Sequence, residues 1–247
     1  MNHYTNPSAL NAPGYEIHYT RYADSILNAQ FPEAKKDLEE VLNNFYVHES
    51  QIIEGGGGRS AIAQSLEELL TAERWLPKDL ETKLYLEGTL VGREVIGLDH
   101  YKHFPKGGIG LKIQWNSKDS VFYSNLEDLK KLHNVSGLGL GIVVTRGNTL
   151  QEELSKVYQR FLKKQLPLSA AKLAGPLSLS QKNQRDVENM ILKDKDGAMN
   201  AIAMMMTTSK FGTSTTHMAK LFEKIEARAG DPCPLILIGI GKDRLKP

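Results

Sequence analysis

Hydrophobic positions along the chain change their period several times, and each change predicts an element. After a loose start, "YTRYADSILNAQ" and "PEAKKDLEEVLNNF" read as two packed helices. The second opens on Pro32, suited to a first helical turn, and carries Leu38, Val41 and Leu42 at helical spacing. "HESQIIEGGGGRSAIAQSLEELLTAERW" holds a four-glycine loop and then a helix begun near Ser60, with Leu66, Leu69 and Leu70 on one face. The period then falls to two. "TKLYLEG", "VGREVIGLD" and "GIGLKIQW", separated by glycines, predict the strands of a meander. The helix "NLEDLKKLHN" leads to "GLGLGIVVTRG", whose continuous apolar centre predicts a strand buried on both faces, and "LQEELSKVYQRFLKK" is again helical.

Beyond this, "LPLSAAKLAGPLSLSQKNQRD" is rich in proline, serine and lysine and predicts an irregular connection. "AMNAIAMMM" predicts a strand, "TSTTHMAKLFEKIEAR" a helix opening on capping residues, and "PLILIGIG" a short buried strand. The fold class is therefore α/β, a mixed central β-sheet flanked by helices. The length suits one domain over 1–247: an N-terminal helical segment over 1–47, a core over 48–165, and a C-terminal segment over 166–247 that returns to the sheet.

Composition narrows the function classes. With 31 basic and 29 acidic residues the net charge is +2, so a nucleic-acid surface has to be a local patch. The single cysteine, Cys233 in "DPCPLILIGIG", excludes an internal disulfide framework and reads as a packing residue. No apolar run approaches the ~20 residues of a membrane span, and "MNHYTNPSALNAPG" lacks signal-peptide character. The expectation is a soluble, cytoplasmic protein.

Candidate chemistry concentrates in "IGLDHYKHFPKGGIGLKIQWNSKD". Asp99 ends one apolar run, and after a glycine turn Lys112 and Gln114 share one face of the next strand. A carboxylate at a strand end can hold a hard cation, a neighbouring side chain can complete its shell or orient a water, and a lysine can stabilise charge on a phosphorane. The plain alternative is a turn-forming Asp99 beside a solvated sheet face. Elsewhere the signals are weaker. Gly55 to Gly58 read either as a flexible loop or as a loop lying on a nucleic-acid backbone, but without a following Lys-Ser/Thr they are not a P-loop. His100 and His103 lack further ligands for zinc and read as a solvated loop, and no Gly-x-Ser-x-Gly elbow occurs.

At these residues the chain resembles the BglII/BamHI-type restriction endonucleases, a branch of the PD-(D/E)xK nuclease superfamily. The resemblance runs from about His48 onward through "HESQIIEGGGG", "LDHYK", "LKIQWNSKD", "IVVTRG", "TSTTHMAKL" and "PLILIGI". It implies a restriction-endonuclease-like core with its catalytic region in 48–165, and a homodimer that uses Mg²⁺ to cleave duplex DNA at a palindromic site. A cognate DNA methyltransferase is implied as a genetic partner, and no membrane. By the resemblance Asp99 binds metal, while the positions of Lys112 and Gln114 carry Glu-x-Glu or Glu-x-Gln. Asp99 and Gln114 conform; Lys112 departs, and an ammonium repels Mg²⁺. Either Lys112 is an inactivating replacement of glutamate, or another acid serves, with Glu94, Glu54, Asp79 and Glu81 the candidates. The resemblance further implies base contacts at Asn116 and Ser117, with Lys118 then suited to a phosphate. From the residues themselves, Arg146, with Asn148 close by, reads either as a guanidinium taking a guanine or as an ordinary loop cation, and the hydroxyl-rich, basic segment Ser209 to Lys220, with Ser214, Thr215, Thr216 and His217, reads as a backbone-contacting helix start. Lys112 also leaves open a catalytically dead, sequence-specific DNA-binding protein on the same fold; an enzyme acting on something other than nucleic acid has no supporting motif.

Overall fold

A computed structural model describes residues 10–54, 60–195 and 197–247. At its centre is a six-stranded sheet. Strands β5 (Gly107–Gln114), β6 (Leu140–Arg146) and β7 (Leu235–Ile240) are mutually parallel. β1 (Tyr15–Tyr19), β4 (Thr89–Phe104) and β3 (Leu76–Leu86) add antiparallel at the two sides, which gives the order β1-β7-β6-β5-β4-β3. A separate short pair, β2 (Val47–His48) and β8 (Leu245–Lys246), is parallel. The mixed α/β architecture is the one that the hydrophobic pattern predicts.

Burial alternates across the middle strands. Ile142 and Val144 of β6, with Ile236 and Ile238 of β7, enter a large core shared with α1 (Ala23–Gln30), α2 (Pro32–Asn44), α4 (Ala61–Ala72), α6 (Asn148–Lys164) and α9 (Ala198–Phe211). Val143, Leu235 and Leu237 face the opposite core, filled by Phe122, Leu126, Leu129 and Leu132 of α5 (Val121–Asn134) and by Met218 and Leu221 of α10 (Met218–Glu226). A strand covered on both faces can be apolar throughout, and β6 is buried over all its residues.

Several elements differ from expectation. "YTRY" is not helical: Tyr19 ends β1, which pairs with β7, and the helix begins at Ala23. "QII" belongs to a short helix, α3 (Glu49–Ile53), whose start is capped by reciprocal bonds between His48 and Gln51. The "irregular" connection holds α7 (Ala170–Ala174) and α8 (Gln181–Lys193), whose starts are capped by Ser169 and Ser180 accepting from the amides of Lys172 and Asn183. Serines that read as loop residues are N-caps. "AMNAIAMMM" is helix α9, burying Ala198, Ile202, Ala203 and Met206 at helical intervals. His100 and His103 lie in β4, not in a solvated loop, and His100 is buried. Cys233 is buried, which pushes its thiol up to about 12. Among the described residues no helix is long and apolar enough to cross a membrane.

Candidate active site

The site is made by a defect in the sheet. From Leu76 to Lys78 on β3 the paired residues on β4 run from Tyr101 to Leu98, so β4 carries one extra residue around Asp99 and His100. Such a bulge re-aims a side chain. Its effect shows in the packing: Ile96 and Leu98 join the α5-side core, whereas Phe104 joins the larger one. The ladder between β4 and β5 also stops at His100 and Leu111, so Asp99 and Lys112 are not paired through their backbones. In place of a ladder bond, the Ile113 amide donates to Asp99 Oδ2 at 2.7 Å. The carboxylate is thereby fixed at the point where the strands part, and its second oxygen still has lone pairs for a cation.

A cavity of about 480 Å³ opens there, lined by Asp99, Leu98, Ile113, Gln114, Trp115, Asn116 and Ser117 on the sheet side, with Pro77, and by Ser60, Ala63 and Glu67 on the other. Ser60 caps α4 by accepting from Ala63 N at 3.1 Å, and one helical turn further on Glu67 faces the same space with a buried carboxylate oxygen. Sequence reasoning missed Glu67. Its signal was the stripe Ser60, Ala63, Glu67 running beside the core stripe Ile62, Leu66, Leu70.

Lys112 does not line this cavity. Its ammonium is turned to the α5 face, donating to the Gly97 carbonyl at 2.6 Å and to Asp128 Oδ2 at 3.0 Å. The lysine side chain is only 9 % exposed, so the charge is both buried and paired. The other candidate acids lie elsewhere. Glu94 is paired with Lys131, Glu81 with Lys83 and Arg93, while Asp79 sits beside Gly97 on the β3–β4 pair and Glu54 at the end of α3. None of them lines the cavity. Among the described residues no group of three or more His, Cys, Asp or Glu could hold a metal ion. Gly55 to Gly58 lie outside the described residues.

The predicted DNA-contacting segments are brought together. Thr216 N donates to the Ser117 carbonyl at 2.9 Å, Asp119 N to the Ser214 carbonyl at 2.9 Å, and Lys118 bridges antiparallel to Thr215. Ser117, Lys118 and Ser214 are exposed on this joined rim. Arg146, in contrast, does not reach solvent. It is 0 % exposed, stacked against Trp115 and Phe211, and donates to the Trp115 carbonyl (2.6 Å), Asn116 Oδ1 (3.0 Å), Thr215 Oγ1 (2.7 Å) and Gln151 Oε1 (3.0 Å). A guanidinium so engaged cannot take a guanine; it ties the two rim segments to β6. Burial pushes its pKa down to about 9, which still leaves it charged at neutral pH. Thr216 is likewise buried, and its hydroxyl accepts from Ser117 N. Asn148 Oδ1 accepts from Ala219 N, which caps α10, so the predicted capping residues Ser214 to Thr216 serve the rim instead. His217 is mostly buried with Nδ1 on the Thr215 carbonyl, and desolvation holds its pKa below 6.5.

The model of one protein family, restriction endonuclease BglII/BglIII, matches residues 15–240. The chain belongs to this family. The match includes β1 through β7, hence both strands at the cavity and both rim segments. No curated protein sequence matches the chain. In this family member the Asp99 carboxylate is fixed where two strands part, beside an exposed polar rim. Lys112, where the sequence departs from the pattern that the resemblance implies, is turned out of the cavity.

Proposed function

We propose that this BglII/BglIII-family endonuclease acts as a homodimeric type II enzyme that hydrolyses phosphodiesters of duplex DNA at a palindromic site, with the cavity at Asp99 as its reaction centre. The observation that carries this reading is the cavity itself, which gathers Asp99, Gln114 and Glu67 next to the joined rim of 116–119 and 214–216. The donor set fits Mg²⁺, which takes one or two carboxylates and keeps its remaining positions for water and substrate phosphate. Asp99, Glu67 and the Gln114 amide would hold it. When bound, a divalent ion lowers the pKa of an attacking water and offsets charge on the phosphate.

The residues of the chain divide the remaining work. The Ile113 amide holds Asp99 in one orientation. Gln114 offers an amide N–H to a phosphate oxygen or to the water. Exposed on the rim, Lys118 would take a neighbouring phosphate, and Ser117 and Ser214 would offer hydroxyls. Asn116, whose Oδ1 is taken by Arg146, keeps its NH₂ to donate to a base acceptor in the major groove. A DNA methyltransferase of the same specificity is the expected genetic partner.

Lys112 places this chain in a silenced form in our reading: glutamate at 112 would supply a further carboxylate, and the ammonium present there instead binds Asp128. That same accommodation supports a second reading, a DNA-binding protein that has settled without catalysis. Cleavage of long mixed-sequence DNA with Mg²⁺ separates them. Discrete fragments from Lys112→Glu alone support the silenced enzyme. Cutting by both forms means that Glu67 suffices beside Asp99. If neither cuts and both retard DNA in a gel, the enzyme reading fails and the binding protein stands.

A further inference from the structure

Helix α5, which takes the ammonium of Lys112, also buries a polar group that nothing around it uses. Asn125 is 5 % exposed, and its Nδ2 is enclosed with no hydrogen-bond partner among the described residues. Enclosed amide donors are rarely left so, because an orphan keeps the full desolvation cost of the group. The same helix face is otherwise apolar: Phe122, Leu126, Leu129 and Leu132 fill the α5-side core. An amide among them calls for a partner.

The helix says where that partner would stand. Residues three and four apart on a helix lie side by side. Three residues from Asp128 and four from Leu129, Asn125 stands between the two, one turn along from the carboxylate that pairs with Lys112. Chain direction gives the level. β5 and β6 are parallel neighbours joined through α5, so α5 runs back against β5, and Asn125 comes nearer than Asp128 to the end of β5 that carries Gln114. Lys112 reaches the same way. β4 is antiparallel to β5 and His100 lies opposite Leu111, so Gly97, whose carbonyl takes the ammonium, lies toward that same end. The tip of residue 112 and the amide of Asn125 thus meet at one level between α5 and the strands. Lysine is the wrong occupant there for Asn125: an ammonium has three donors and no acceptor. A carboxylate would accept the stranded N–H.

We propose that Asn125 is a positioning residue whose Nδ2 donates to a carboxylate at position 112, and that it is orphaned because lysine stands there. The inference rests on the reading of position 112 as a lost acid and adds to it a residue from a separate element. As the Ile113 amide orients Asp99, Asn125 would orient a glutamate at 112.

Thermal melts in EDTA test this without cleavage, with Asn125→Leu placed in the parent chain, in Lys112→Met and in Lys112→Glu. Where residue 112 accepts nothing, the replacement should leave Tm unchanged or raise it, since an orphan and not a bond is lost. In Lys112→Glu it should lower Tm by about 4–8 °C, the loss of a hydrogen bond to a charged group in a chain of this size. A role in packing alone would shift all three alike, and equal shifts overturn the proposal. So does a comparable loss in the parent, which would mean that the amide is turned to offer Oδ1 to Lys112. Should Lys112→Glu not fold, Asn125→Asp decides: its carboxylate should lower Tm less in the parent, beside an ammonium, than in Lys112→Met, and equal losses overturn the placement of Asn125. Cleavage with Mg²⁺ by Lys112→Glu reports separately. Cutting combined with equal shifts removes Asn125 and leaves the silenced enzyme standing, whereas the expected shifts without cutting keep Asn125 beside position 112 and sink the silenced enzyme.

Discussion

Replacing Lys112 by glutamate tests the cavity through stability alone, with no cleavage needed. The substitution removes the bond to the Gly97 carbonyl and the ion pair with Asp128, and sets a carboxylate near both acceptors. The lysine side chain is 9 % exposed and the aspartate 31 %, so the pair lies between a surface bridge and a buried one. Surface bridges contribute about 0–1 kcal/mol, and breaking buried ones costs about 3–5 kcal/mol. A loss of about 3 kcal/mol in EDTA follows, which for a chain of this size lowers Tm by about 6–12 °C. Mg²⁺ then acts by linkage: at a concentration of about 100 times its Kd it returns about 2.7 kcal/mol, most of the loss. The control is Lys112→Met, which loses the pair without gaining a ligand and should be stabilised by Mg²⁺ less than Lys112→Glu. Thermal melts of the three proteins with EDTA and with Mg²⁺ read all of this. A Lys112→Glu protein that melts like the parent in EDTA, or that Mg²⁺ does not stabilise, refutes the assignment of position 112 as a lost ligand.

Four further outcomes follow from the site. In the Lys112→Glu background, Asp99→Asn should abolish cleavage and leave gel-shift affinity within a few-fold; persistent cutting would move the metal elsewhere. Arg146→Met should cost about 3–5 kcal/mol in urea denaturation, because it strands buried acceptors on Trp115, Asn116, Gln151 and Thr215, and should weaken binding to every DNA sequence alike. Lys118→Ala should reduce the slope of log affinity against log salt by about one phosphate contact, with base preference unchanged. His217, held below 6.5 by burial, favours its neutral form in the fold; its contribution is complete above pH 6.5 and is lost as the pH falls below that value. The urea midpoint should therefore drop on acidification, and His217→Asn should flatten that drop.

Strands were legible wherever one face or both had to be apolar. β6 and β7 announce themselves as unbroken apolar runs, and the glycine-separated meander β3-β4-β5 follows the alternation. β1 was not legible, because Tyr15 to Tyr19 mix aromatic, acidic and basic residues and take their strand from pairing with β7. α9 was misread since methionine and alanine carry no β-branched signal either way, although Ala198, Ile202 and Met206 were spaced for a helix. That Asp99 and Gln114 stand out is legible because a polar residue ending an apolar strand is visible in one dimension, and both line the cavity. Glu67 was not, since its place in the cavity wall depends on how α4 packs over the sheet end.

Arg146 shows why site residues are harder to read than strands. In sequence it is a cation in a turn after a buried strand, the expected look of a DNA-reading arginine. In the fold, the parallel pairing of β6 with β5 sets it level with the residues that follow Gln114, and its donors are spent on that segment and on Thr215. The exposed rim residues Ser117, Lys118 and Ser214 have few bonds of their own that would fix them; the segments carrying them are fixed from beneath. In the proposed enzyme, a rim built this way would couple recognition to the reaction centre through the strand end they share. Displacing the 116–119 segment would move Gln114 and the Ile113 amide that orients Asp99. Loss of Arg146 should therefore impair cleavage in the Lys112→Glu background even at DNA concentrations that saturate binding, which a contact serving affinity alone would not do.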